Sequence, residues 1–201
     1  LLEKLDGSQI AILTSSQEDD LDFDKELNRK FGVVVYRDRA KVLLPTPRVI
    51  RKAKQIMRDH QATTIWFGAA APLALMAPAL RKLGVKKIIA LTHGHEVWWA
   101  KIFPFNLAMR RIGSAVDHLT YLGEFTRNAI AQSLTQRSAS AMVKIAPGID
   151  TSHFIPQPDA MQKRITLGLE DKKIIISVGR LVHRKGQDKL IQAMPVILQK
   201  I

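Results

Sequence analysis

Three stretches of this chain combine residue types and spacings that could do chemistry. The first is Thr92-His93-Gly94-His95-Glu96, directly after the apolar run Lys87-Ile88-Ile89-Ala90-Leu91. In open α/β sheets ligands bind beyond the carboxyl ends of strands, so these side chains stand where a crevice would lie. Gly94 lets backbone approach a ligand closely. One imidazole can donate to a phosphate or sugar oxygen, while Glu96 can orient a histidine or bind a hydroxyl. A His-x-His pair also suits a metal. However, no second cluster of histidines or carboxylates is obvious around His60, His118, His153 or His183, and the His-Glu-x-x-His spacing is absent. Polar residues simply satisfied within a loop are the third reading.

The second stretch is Gly179-Arg180-Leu181-Val182-His183-Arg184-Lys185-Gly186, between an expected strand over Lys173–Val178 and a helix from Gly186 onward. A helix N-terminus offers free amides and the positive end of its dipole, and Arg180 and Lys185 add full charges where an anion would dock. A diphosphate fits such a site. The Walker sequence and Gly-x-Gly-x-x-Gly are both absent, so neither nucleotide fingerprint applies, and an ordinary basic surface loop is the competing reading. In the third stretch, Trp98 and Trp99 open a proline-interrupted apolar segment through Phe105 that is followed by Arg110-Arg111. This composition suits a lipid headgroup region, and core packing accounts for it as well.

Short apolar runs alternating with helical patterns would position these stretches. Strands are expected at Gln9–Leu13, Val33–Tyr36, Thr64–Phe67, Lys87–Leu91, His118–Tyr121 and Met142–Ile145. The clearest helix starts at Thr46 as N-cap with Pro47 in its first turn, placing Val49, Ile50, Ala53, Ile56 and Met57 on one stripe. Strand and helix in repetition indicate a doubly wound, Rossmann-like parallel sheet of the α/β class. The uncharged stretch from Ala62 to Leu80 approaches membrane-spanning length, but its prolines and Gly68 favour a buried strand feeding a helix that ends at Gly84. Prolines 147, 156 and 158 interrupt all periodicity, as a linker would. Beyond it come a short helix from Asp159 to Leu167, stopped by Gly168, and one βα unit that cannot bury its own faces. The chain therefore reads as truncated at both ends, with residues 1–5 as the tail of an earlier helix.

The chain has 201 residues, no cysteine and a formal charge of +13. A disulfide scaffold, a Cys-ligated zinc and a thiol nucleophile are thereby excluded. Six acids and one lysine fall between Glu18 and Glu26, in an expected loop, so the rest of the chain carries +18 and should attract anions. The N-terminal residues lack the pattern of a signal peptide. A basic nucleic-acid-binding module would use the same charge, but no nucleic-acid motif is present and only 6% of residues are aromatic.

In this order, the His93–Glu96 loop, Pro147-Gly148-Ile149-Asp150 with Phe154, and the run from Ser177 through Gly186 resemble the retaining glycosyltransferases of the GT-B fold, family 4. Leu44-Pro45-Thr46-Pro47 and the run from Trp66 to Met76 are similar to those of family members that mannosylate phosphatidylinositol mannosides. The resemblance implies an acceptor-binding N-terminal domain over residues 1–146, a linker over 147–160, and the start of a donor-binding domain over 161–201. It implies His93, Arg180 and Lys185 as catalytic residues, with Gly94, His95, Glu96, Gly179 and Gly186 binding substrate. GDP-mannose would be the donor and a phosphatidylinositol mannoside the acceptor. Another sugar nucleotide with a soluble sugar or polysaccharide acceptor is the alternative. No cofactor or metal is required, since Arg and Lys supply the charge that a leaving diphosphate needs; Mg2+ is not implied. The resemblance further implies peripheral contact with anionic membrane at the cytoplasmic face of the plasma membrane, and no nucleic-acid partner. Two family features are absent from these residues: the early glycine-rich loop and the later Glu-containing donor motif. The chain alone is therefore expected to have little or no transferase activity.

Overall fold

The structure, a computed structural model, describes residues 5–18 and 20–200. The helical tail expected at the N-terminus lies, except for Leu5, outside the described residues. The chain divides into two units, one ending at Gly148 and the other starting at Ile149.

The strands of the first unit are β1 (Ala11–Ser15), β2 (Val34–Asp38), β3 (Thr64–Phe67), β4 (Lys87–Ala90), β5 (His118–Tyr121) and β6 (Val143–Lys144). All described pairings are parallel: β1 with β2 in one sheet, and β3-β4-β5-β6 in the other. The α/β class with parallel sheets is thus as expected. β1 and β2 run further toward their carboxyl ends than the apolar runs suggested, because Thr14, Ser15, Arg37 and Asp38 continue the ladder with polar side chains.

Helices α1 (Asp20–Phe31), α2 (Pro47–Asp59), α3 (Ala77–Arg81), α4 (Glu96–Lys101), α5 (Phe105–Ala115), α6 (Glu124–Ala131) and α7 (Gln136–Ser140) connect the strands. Thr46 caps α2 by accepting from the Val49 amide at 3.3 Å, and Val49, Ala53, Ile56 and Met57 are its buried stripe. The acidic run expected as a loop instead opens α1. Asp20 and Asp22 occupy its first turn and Arg29 and Lys30 its last, each sign at the favourable end of the helix dipole. No residue of α1 is buried, so apolar periodicity did not reveal it. The Arg37 fork holds Asp24 of α1 at 2.6 and 2.9 Å and also donates to the Ser15 carbonyl, which ties the helix to both strands.

The core packs Ile88, Ala90 and Leu119 of the larger sheet with Leu80, Met109, Ile112 and Ile130 from the helices. Each of these Leu, Ile and Met side chains contributes about 1.5–3 kcal/mol when fully buried, which fixes the strand ends where the site lies.

In the second unit, α8 (Ala160–Thr166) ends before Gly168, whose φ of +61° suits only the left-handed region. A 3-10 turn (His183–Lys185) precedes α9 (Gln187–Leu198). The strand expected over Lys173–Val178, and with it the complete βα unit, does not form. A parallel strand needs ladder partners on its sheet, and Ile176 and Val178 are exposed.

Candidate active site

β3 and β4 are adjacent and parallel, so the loops leaving them emerge side by side. Thr92 is fully buried, and its hydroxyl donates to the Thr120 carbonyl at 2.6 Å, anchoring the start of the second loop to β5. His93 is exposed, with Nε2 at 2.6 Å from the Gly68 carbonyl oxygen. Nε2 of His95 lies 3.3 Å from the Ala71 carbonyl oxygen and 3.3 Å from Glu96 Oε1. Carbonyl oxygens can only accept, so both rings carry their proton on Nε2, and Nδ1 of His93 is left as an acceptor. The two imidazoles lace the β4 loop to the β3 loop.

Gly94 has a φ of +94° and no atom within 4 Å of where a Cβ would stand. Glycine is required there by backbone conformation, and the space beside it is open. Gly68, at the β3 exit, likewise faces open space. Gly68 and Ala71 were not legible as site residues; a glycine directly after a short apolar strand was the available signal, and that strand is less buried than expected, with Thr64 and Trp66 exposed and only Phe67 buried.

Glu96 corrects an expectation. It is completely buried, with Oε2 accepting from the His93 amide at 3.0 Å, so its carboxylate is not presented to a substrate. Its Oε1 has no hydrogen-bond partner in the structure. Buried in the first turn of α4, Glu96 is a support that sets the backbone of His93, the orienting role open to it from its chemistry. Among the described residues, no group of three or more His, Cys, Asp or Glu could hold a metal ion.

A second buried acid, Asp38 at the carboxyl end of β2, was also missed. It accepts from the Ala40 amide at 3.0 Å and pairs with Arg48 at 2.8 Å. The Ala40 bond, with Arg48 and Lys52 nearby, holds its carboxyl below the usual carboxylate range against the opposing effect of burial.

The Gly179–Gly186 stretch lies in the second unit. Gly186 takes a φ of +71° immediately before α9. A Cβ on Gly179 would stand 3.8 Å from Lys185 Cδ and 3.3 Å from Gln187 Nε2, so the two ends of the stretch are in contact. Gln187 donates to the Arg180 carbonyl at 3.3 Å. Arg180 and Lys185 are exposed, and neither has a carboxylate partner among the described residues. The structure thus gathers Gly179, Arg180, Lys185 and Gly186 into one basic turn in the second unit, and His93, Gly94, His95 and Glu96 into one loop in the first.

Residues 2–153 match the profile of Glycosyltransferase Family 4. The chain belongs to that family. It is 39% identical over 181 residues to the GDP-mannose-dependent alpha-(1-6)-phosphatidylinositol monomannoside mannosyltransferase of Mycolicibacterium smegmatis, covering 90% of this chain and 47% of that protein. The GDP-mannose-dependent monoacylated alpha-(1-6)-phosphatidylinositol monomannoside mannosyltransferase of Corynebacterium glutamicum is 37% identical over 198 residues, covering 96% of this chain and 50% of its own length. The family 4 chain therefore spans about half the length of these curated relatives. Among solved structures, Anabaena HepE in complex with UDP and glucose superposes with a TM-score of 0.63 at 15% identity, over 92% of this chain and 57% of its own. That likeness concerns the fold alone.

Proposed function

We propose that this chain is the acceptor side and the beginning of the donor side of a retaining mannosyltransferase that moves mannose from GDP-mannose to a phosphatidylinositol mannoside. The observation that carries this reading is the His93 loop. An exposed imidazole with a free Nδ1 lies beside two glycines that face open space, Gly68 and Gly94, at the carboxyl ends of adjacent parallel strands, in a chain 37–39% identical to proteins named for that transfer.

In this reading Arg180 and Lys185 neutralise the donor diphosphate, with the α9 N-terminus adding its dipole. Fixed positive charge stabilises the departing nucleotide as its bond to the anomeric carbon breaks; the acceptor hydroxyl bonds to that carbon on the same face and passes its proton to the leaving diphosphate oxygen, so the anomeric configuration is kept. His93 accepts a hydrogen bond from the sugar through Nδ1 while its Nε2–H is held by Gly68. The acceptor in this reading is lipid-linked, so the reaction belongs at a membrane surface, which we take to be the cytoplasmic face of the plasma membrane. Among the described residues no helix is long and apolar enough to cross a membrane.

The test is Lys185→Ala in a protein carrying this chain with a complete donor domain, read by titration with GDP-mannose and with UDP-glucose. Loss of a charge-assisted phosphate contact is expected to weaken GDP-mannose binding by about tenfold or more. Unaltered affinity would show that the diphosphate site lies elsewhere, and a preference for UDP-glucose would replace the donor.

A further inference from the structure

The hairpin of α4 and α5 carries apolar side chains on both sides of its fold. Phe105 packs between the two indoles, at ring-centroid distances of 4.8 Å from Trp98 and 4.9 Å from Trp99, and Trp99 is packed against the core. Trp98, Ile102, Phe103 and Leu107 instead face outward, with Trp98 51% and Phe103 75% exposed. No acidic residue occurs from Val97 to Val116, whereas Lys101, Arg110 and Arg111 do. All three bases are exposed, and none has a carboxylate partner among the described residues.

We propose that this hairpin is the surface by which the protein docks on an anionic lipid bilayer, with Trp98 and Phe103 entering the headgroup region. Apolar aromatics bordered by unpaired bases are what such an interface selects. The rings replace water with lipid, and the cations meet lipid phosphate. A protein partner of ordinary composition would leave three bases to be matched by its own carboxylates, whereas the anionic surface supplies them uniformly. Position supports the same occupant. The Trp98 amide donates to the His95 carbonyl at 3.1 Å, so the outward ridge begins one helical turn from the histidine loop. This inference rests on the lipid-acceptor reading above. With the hairpin in the interface, the headgroup of a membrane-anchored acceptor is delivered beside His93 while its acyl chains stay in the bilayer.

The measurement is partitioning of the 201-residue chain onto phosphatidylcholine vesicles with and without phosphatidylglycerol, by sedimentation and by quenching of tryptophan fluorescence with brominated lipid. The unaltered chain is expected to bind only the anionic vesicles and to be quenched. Trp98→Ser with Phe103→Ser should lower partitioning by about tenfold or more, since two apolar contacts are lost, with circular dichroism unchanged. Trp98→Phe keeps an apolar ring, so it should bind within about twofold of the parent yet lose most of the quenching. It decides the matter even where the double variant fails to fold. Quenching undiminished in Trp98→Phe, or binding undiminished in the double variant, overturns the proposal. So does vesicle binding that disappears only when the basic face of α2 is reversed by Arg51→Glu with Lys54→Glu. Self-association abolished by the double variant, without vesicle binding, overturns it in favour of a second copy of the chain. Donor titration on the longer protein separates the two readings. Intact GDP-mannose binding without membrane contact removes only the docking surface, and absent donor binding removes the transferase reading whatever the vesicles show.

Discussion

Replacing Glu96 with alanine tests whether the histidine loop is held from beneath. The side chain is completely buried, and Oε2 is the acceptor for the His93 amide at 3.0 Å. Removing it leaves a partly buried donor unpaired, at about 1–3 kcal/mol, and opens a void at the start of α4 that adds to the cost. Part of this is offset, because Oε1 has no partner of hydrogen-bond geometry, only His95 Nε2 at 3.3 Å, and most of its desolvation penalty disappears with it. A net loss of about 1–3 kcal/mol corresponds to a Tm lower by roughly 2–12 °C for a domain of this size. Glu96→Gln retains an acceptor oxygen for the amide and should lose about 1 kcal/mol or less. The assay is thermal unfolding by circular dichroism, paired with the amide proton resonance of His93, which should move upfield in the alanine variant and stay near its parent position in the glutamine variant. If the alanine variant melts within about 1 °C of the parent, or if glutamine does as much damage as alanine, Glu96 does not set the loop through that hydrogen bond.

Acid should unfold the first unit through its paired carboxylates. The Arg37 fork holds the Asp24 carboxyl below its ordinary 3.8, and Asp117 is held low by the Ile88 amide and Arg81 despite burial acting in the other direction. Below 3.8 the unfolded chain binds more protons than the folded one. Stability is therefore full above that value and falls as pH drops through the lower folded values. Urea midpoints should hold steady down to about pH 4 and decrease from there to about pH 2, less steeply in Asp24→Asn, and an equal slope in that variant would remove Asp24 from the account. Gly7→Ala should be severely destabilising, by about 2 kcal/mol or more, because its Cβ would stand 1.8 Å from the Phe31 carbonyl oxygen. A variant with the parent Tm would show that the backbone there moves freely.

Apolar periodicity placed β3 and β5 to the residue and the buried stripe of α2 almost completely, because burial on a sheet face or a helix stripe leaves a regular record in the chain. It misplaced the acidic run of α1, whose helix rests on end charges and on the Arg37–Asp24 pair instead of on a buried stripe. It also supplied a strand at Lys173–Val178, where the right residues have no described neighbour to pair with. The site shows the same division. The types and spacing of His93, Gly94, His95, Glu96, Arg180 and Lys185 were legible in the sequence, as was the place of the histidine loop between β4 and α4; the Arg180–Lys185 turn precedes α9 but directly follows no strand among the described residues. Which ring nitrogen bears the proton, that Glu96 supports from below without facing a substrate, and that Trp98 points outward while Trp99 packs inward were not. Those features depend on which backbone carbonyls and side chains from distant segments arrive beside each residue, and only the packing of β3 against β4 and of α4 against α5 brings them there.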